Sequence, residues 1–146
     1  MIRGYFGGYP GRRRLFVIAN LTIPALNISG NVHFLVDTGA DSTLLAPRDA
    51  ISLGVDVGRL PQDAPTTGIG GRTPTASAEA TLTLDTLTFT IRLRILAPTA
   101  RQLQALSVIP SLLGRDILSH FALFLEERTN QVLLLEPREA DALHLP

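Results

Sequence analysis

From Leu15 onward, apolar and polar positions alternate in short runs, the period-2 pattern of strands that bury one face. The clearest case is residues 75–84. Ala76, Ala78, Ala80, Leu82 and Leu84 fall on one side, and Thr75, Ser77, Glu79, Thr81 and Thr83 on the other. Residues 87–95 repeat it, with Leu87, Phe89, Ile91, Leu93 and Ile95 facing inward and Asp85-Thr86 as a tight connection between the two strands. Residues 15–23 and 32–36 are apolar, β-rich runs split by a turn-prone stretch from Pro24 to Asn31. Residues 121–125 and 132–135 predict a second hairpin, with Thr129-Asn130 supplying the turn.

Helical signals are fewer. Pro47 suits a first helical position, because its φ is preset and its missing N–H would have no partner there; Gly54 can end the same helix. Residues 115–120 have room for a further turn or two. The expectation is an all-β domain with two short helices over residues 15–136. It lies between a glycine-rich flexible leader of residues 1–14 and a C-terminal tail of residues 137–146.

A chain of 146 residues fits one domain and is long enough to bury a real core. Its apolar share is high for a small monomer, which points to a deep cleft or a subunit interface. Acidic and basic residues number 13 each, so charge argues against nucleic acid or an anionic membrane as the main partner. The basic run Arg12-Arg13-Arg14 is too short to change that and reads as a solvated tail. Without cysteine there are no disulfides, thiolate chemistry or cysteine-based zinc sites, a composition that suits the cytoplasm. No stretch approaches the roughly 18–20 apolar residues of a membrane span. His33, His120 and His144 have no metal-ligand spacing, and no serine stands in a G-x-S-x-G elbow, so neither a metal nor another cofactor is expected.

One segment carries candidate chemistry: Phe34-Leu35-Val36-Asp37-Thr38-Gly39-Ala40-Asp41-Ser42, an apolar strand running straight into a carboxylate, a hydroxyl and a glycine. Water attack on a peptide bond needs one group to take a proton from water and another to give one to the carbonyl oxygen. Two close carboxylates sharing one proton do both, because like charges so close cannot both ionise. Gly39 permits a tight turn and close approach of a substrate, and the Thr38 hydroxyl needs a hydrogen-bond partner if it is buried.

Asp37-Thr38-Gly39-Ala40 resembles the active-site signature of the retropepsin-like aspartic proteases. Two further stretches match in the family's order. Gly68-Ile69-Gly70-Gly71 is similar to the tip of its flap hairpin, and Leu112-Leu113-Gly114-Arg115-Asp116-Ile117-Leu118 to the segment before its C-terminal helix. The resemblance implies a single-domain acid-protease fold, active as a homodimer on peptide or protein substrates. It implies catalytic roles for Asp37, Thr38 and Gly39, and substrate contact at Ala40, Asp41, Gly68, Ile69, Gly70 and Gly71. Asp41 and Arg115 resemble a buried ion pair that stiffens the site. The long interval between Asp37 and the glycine cluster, and the long C-terminal hairpin, resemble cellular or bacterial members more than compact viral ones.

Only one Asp-Thr-Gly is present, so one chain holds half of a carboxylate pair, and two-fold symmetry would supply the other half. Residues 121–125 or 132–135 are the candidate interface strands. The expected function is aspartic endopeptidase. The alternative is a catalytically silent dimer of the same fold that binds peptide or protein.

Overall fold

The computed structural model of the chain describes residues 1–8, 11–68 and 71–146. Its first strands are β1 (Ile2–Arg3), β2 (Tyr5–Gly7), β3 (Arg14–Ile23), β4 (Ile28–Val36) and β5 (Leu44–Leu45), followed by helix α1 (Pro47–Leu53). The middle of the chain holds β6 (Gln62–Gly68), β7 (Gly71–Leu84), β8 (Leu87–Leu96) and α2 (Ala100–Leu106). It finishes with β9 (Ser111–Leu113), α3 (Arg115–Leu118), β10 (Ala122–Glu126), β11 (Gln131–Leu135) and α4 (Pro137–Asp141).

Eight strands form one sheet in the order β2-β3-β4-β9-β5-β8-β7-β6, and β3 also pairs with β7, so the sheet folds back on itself. A second sheet has the order β1-β11-β10. Phe34, Leu45, Leu82, Leu84, Leu93, Ile95, Leu113 and Ile117 are fully buried in one continuous core, which Ile2 and Leu134 of the second sheet also join. Each such side chain contributes about 1.5–3 kcal/mol relative to exposure.

The long hairpin has the expected register: Ala78 opposes Leu93, Leu82 opposes Phe89 and Leu84 opposes Leu87. Asp85 turns the chain with a left-handed φ of 55°. The side expected to be polar and exposed differs, however. Thr73, Thr75 and Ser77 are buried; the Thr75 hydroxyl donates to the Ala64 carbonyl of the neighbouring β6 at 2.8 Å and receives the Arg94 guanidinium. The second hairpin, β10–β11, pairs as expected, with Asn130 at φ 55° in its turn. The turn after β3 is tighter than expected: a single 3-10 turn, Pro24–Leu26, and Asn27 at φ 52° return the chain to β4.

Helix α1 starts at Pro47 and ends at Gly54, whose φ of 80° lets its N–H reach the Ala50 and Ile51 carbonyls. The buried Ser111 hydroxyl fixes this helix to β9. It donates to the Asp49 carboxylate at 2.6 Å and accepts from the Ala46 N–H at 2.9 Å.

Two expectations need correction. Residues 1–14 are not a flexible leader throughout. Ile2 is buried and pairs with Leu134, the Gly4 N–H donates to the Val132 carbonyl at 2.7 Å, and Tyr5 pairs with Phe16. A side chain at Gly4 would collide with the Phe16 carbonyl, so glycine is what lets the chain pass from one sheet to the other there. Pro10, counted in that leader, lies outside the described residues. The helices number four rather than two among the described residues: α2 and α4 join the expected pair, and α4 occupies the start of the expected tail. Both added helices carry capping boxes, Thr99 with Gln102 and Glu136 with Glu139. None of these helices is long and apolar enough to cross a membrane.

Candidate active site

Asp37 stands one residue past the end of β4, an interior strand of the eight-stranded sheet. β4 is flanked by β3, antiparallel, and β9, parallel, with Val36 opposite Leu113. The ladder continues one step further, since the Asp37 N–H donates to the Leu113 carbonyl at 3.1 Å. The chain then turns sharply: the Gly39 N–H donates to Asp37 Oδ1 at 2.9 Å and the Ala40 N–H to the Asp37 carbonyl at 3.2 Å. A short acidic side chain bonded to a backbone N–H two residues on is a local turn device, and it orients the carboxylate. Asp37 is half-buried, while Thr38 and Gly39 are exposed.

The turn is held from behind by the segment opening α3. The Arg115 and Asp116 N–H groups donate to the Ala40 and Asp41 carbonyls at 2.8 and 3.1 Å. First-turn N–H groups have no partner inside a helix, and these are satisfied by the loop that carries Asp37. Below them, the Asp116 carboxylate accepts from the Thr43 hydroxyl at 2.7 Å and the Thr43 N–H at 3.0 Å. The same Thr43 hydroxyl accepts from the Gly114 N–H at 3.2 Å. Gly114 is pressed against backbone: an added Cβ would lie 2.5 Å from the Ser42 carbonyl carbon and 3.0 Å from the Ala40 oxygen. The structure thus joins residues 37–43 to residues 113–116, two motifs more than seventy positions apart.

The Asp41–Arg115 pair forms, but it is not buried: the side chains are 81% and 60% exposed. Both project from the outer rim of the turn, and an exposed pair of this kind contributes about 0–1 kcal/mol. The carboxylate that stiffens the turn from inside is Asp116. Its position at the start of a helix gave no hint of this, because its partner lies 73 residues away.

Gly68 and Gly71 face each other at the end of the β6–β7 hairpin, both exposed, with Gly71 at φ 93°. Ile69 and Gly70 lie outside the described residues. The base of this hairpin is irregular, with a register shift between Asp63 and Thr66 around Pro65. Arg94 donates to the Ala64 carbonyl at 2.8 Å, and Arg92 pairs with Asp63 at 3.0 Å. Among the described residues no hydrogen bond joins Gly68 or Gly71 to the Asp37 turn. A cavity of about 590 Å³, lined by Leu60, Pro61, Ala78, Ile91 and Arg92 among others, includes none of the predicted site residues.

Residues 25–120 match the family described as "gag-polyprotein putative aspartyl protease". Among solved structures, the chain is similar to the EIAV protease complexed with an inhibitor. The TM-score is 0.53 at 24% identity, over 77% of this chain and 92% of that one. It is also similar to a retropepsin-like aspartic protease from Rickettsia conorii, with a TM-score of 0.55 at 18% identity, over 90% of this chain and 87% of that one. No curated protein sequence matches it. These likenesses show the fold, and the family match covers both the Asp37 turn and the Gly114-Arg115-Asp116 segment behind it; the chain belongs to the retropepsin-like aspartic proteases.

Proposed function

We propose that the chain is an aspartic endopeptidase that acts as a symmetric homodimer, each protomer supplying one Asp37. The observation that carries this reading is the Asp37 carboxylate itself. Oδ1 is engaged by the Gly39 N–H, and Oδ2 has no hydrogen-bond partner among the described residues. A half-buried carboxylate at a strand end, rigidly backed and open on one side, suits a partner across a two-fold axis.

In the dimer one Asp37 is ionised and the other protonated. The ionised one takes a proton from water as the oxygen attacks the peptide carbonyl carbon, and the protonated one gives its proton to the carbonyl oxygen. Collapse of the tetrahedral diol breaks the C–N bond: the leaving nitrogen takes the proton first removed from water, and the other Asp37 takes one from a diol hydroxyl, which restores one proton to the pair. Substrate binds extended, as an added strand, with side chains alternating between pockets. The β6–β7 hairpin is the element that would close over it and exclude water.

The chain's exposed apolar surface supports a dimer. Of the two candidate strands, β11 spends Val132, Leu134 and Leu135 on its own core, whereas β10 presents Leu123, Phe124 and Leu125, exposed by 37%, 38% and 48%. β10 is also the edge of its sheet, with one row of backbone groups available for pairing.

The test is a diverse peptide library incubated with wild type and Asp37→Asn from about pH 4 to 7, read by mass spectrometry alongside sedimentation. Cleavage by wild-type dimers alone supports the endopeptidase. Dimers that bind peptides without cleaving them identify the silent binding module instead.

A further inference from the structure

The base of the β6–β7 hairpin is tied to β8 from both strands, by Arg94 on the Ala64 carbonyl and Arg92 on Asp63 as well as by the β7–β8 ladder. Thr75 pairs with Leu96 on β8, and the Ala97 N–H extends that ladder to the Pro74 carbonyl at 2.9 Å. Beyond Thr73 the hairpin strands pair only with each other, at Thr67 with Arg72 and Gly68 with Gly71. A single further bond leaves the hairpin there among the described residues: Gln102 Nε2, on α2, donates to the Arg72 carbonyl at 2.9 Å.

Gln102 uses both ends of its amide. While Nε2 holds β7, Oε1 accepts from the Thr99 N–H at 3.1 Å and the Thr99 hydroxyl at 3.3 Å, closing the start of α2. Leu106, at the other end of α2, is buried, so the helix is anchored in the body of the domain. After Leu106 the chain runs into β9, whose Leu113 carbonyl receives the Asp37 N–H. The helix therefore links the tip-ward part of the hairpin to the strand beside Asp37.

We propose that Gln102 is a positioning residue that latches the β6–β7 hairpin to α2, so that the hairpin beyond Thr73 is held to the body of the domain within one chain by the Gln102–Arg72 bond. Its catalytic consequence rests on the peptidase reading, but the latch itself does not. Breaking it frees the hairpin beyond Thr73 without unravelling the strands, and a hairpin less firmly held orders bound peptide less well.

Two variants separate the latch from the helix cap. Gln102→Glu keeps an oxygen acceptor for Thr99 but removes the Nε2 donor. Thr99→Ala weakens the cap and leaves the donor in place. Amide hydrogen exchange is measured over residues 66–68 and 71–73, with α2 as an internal reference. The expected result is exchange about fivefold faster at the hairpin in Gln102→Glu, the effect of losing one neutral hydrogen bond, with α2 unchanged. Thr99→Ala should loosen α2 and move the hairpin less. Equal hairpin exchange in wild type and Gln102→Glu, or a hairpin effect in Thr99→Ala as large as in Gln102→Glu, would overturn the latch. If the chain cleaves peptides, Gln102→Glu should raise KM more than it lowers kcat, and a loss confined to kcat counts against it. If no cleavage is seen, the exchange measurement decides the latch by itself.

Discussion

The carboxylate of Asp116 holds Thr43 by two hydrogen bonds, one from the hydroxyl at 2.7 Å and one from the backbone N–H at 3.0 Å. Thr43 is fully buried, so this bond lies inside the wall that supports the Asp37 turn. Replacing Thr43 by valine keeps the shape but leaves Asp116 short of a donor and the Gly114 N–H short of an acceptor. Buried polar groups left unpaired cost about 1–3 kcal/mol. The urea midpoint of Thr43→Val should fall accordingly at unchanged slope, and an unaltered midpoint would count against the bridge.

The exposed Asp41–Arg115 pair should behave differently. Arg115→Ala removes the guanidinium but leaves the backbone N–H on the Ala40 carbonyl. The loss of stability should be under about 1 kcal/mol. A loss as large as that of Thr43→Val would show the pair to be as consequential as the buried bridge.

Gly114 predicts a severe effect from one methyl group. The new Cβ would meet the Ser42 backbone rather than a flexible side chain, so the Asp37 turn or α3 has to move. Gly114→Ala should destabilise the fold by about 2–3 kcal/mol, and cleavage should fall even at temperatures where the variant stays folded. Thermal unfolding paired with activity in the folded range checks both parts.

Much of this arrangement is legible in the amino-acid sequence. The period of residues 75–95 gave a long hairpin and its register, because one face must enter the core whatever lies on the other. The second face differs at Thr75: alternation says nothing of the irregular β6 beside it, whose register shift around Pro65 leaves the Ala64 carbonyl to accept from the Thr75 hydroxyl. Helix α2 escaped notice because Ala100–Leu106 has no broad apolar stripe, Leu103 being exposed and Leu106 buried. Thr99-x-x-Gln102 was its one readable signal. The Asp-Thr-Gly turn and the segment behind it are both legible as motifs, yet the Thr43–Asp116 bridge is not, since nothing local marks a partner so far along the chain.

The edge strand β10 makes the proposed dimer testable. Phe124→Glu puts a charge on the edge strand between Leu123 and Leu125 in sequence, at a side chain outside the fully buried core. Self-association should weaken by at least about tenfold, the effect of 1.4 kcal/mol, with the monomer's circular dichroism unchanged. Sedimentation equilibrium measures it. An unaffected dimer would place the interface on another surface.

Tyr5 offers an alkaline probe of the N-terminal strands. Burial holds its phenol pKa above the ordinary value, and its hydroxyl sits against His33 Nδ1. The unfolded chain loses that proton near pH 10, while the folded chain keeps it to higher pH. Stability is therefore retained below about pH 10 and declines as pH rises from the unfolded toward the folded value. Urea midpoints across this range should fall less steeply in Tyr5→Phe than in wild type.

The parallel pairing of β4 with β9 has a bearing on when the site exists at all. Ribosomes deliver Asp37 early, but Leu113, Gly114 and Asp116 leave the tunnel only after most of the domain has been made. Until then one flank of the Asp37 strand has no neighbour, and the turn beyond it has nothing behind it. A chain cut short before Ser111 would carry the whole Asp-Thr-Gly signature and still lack the strand and the helix start that hold it in shape.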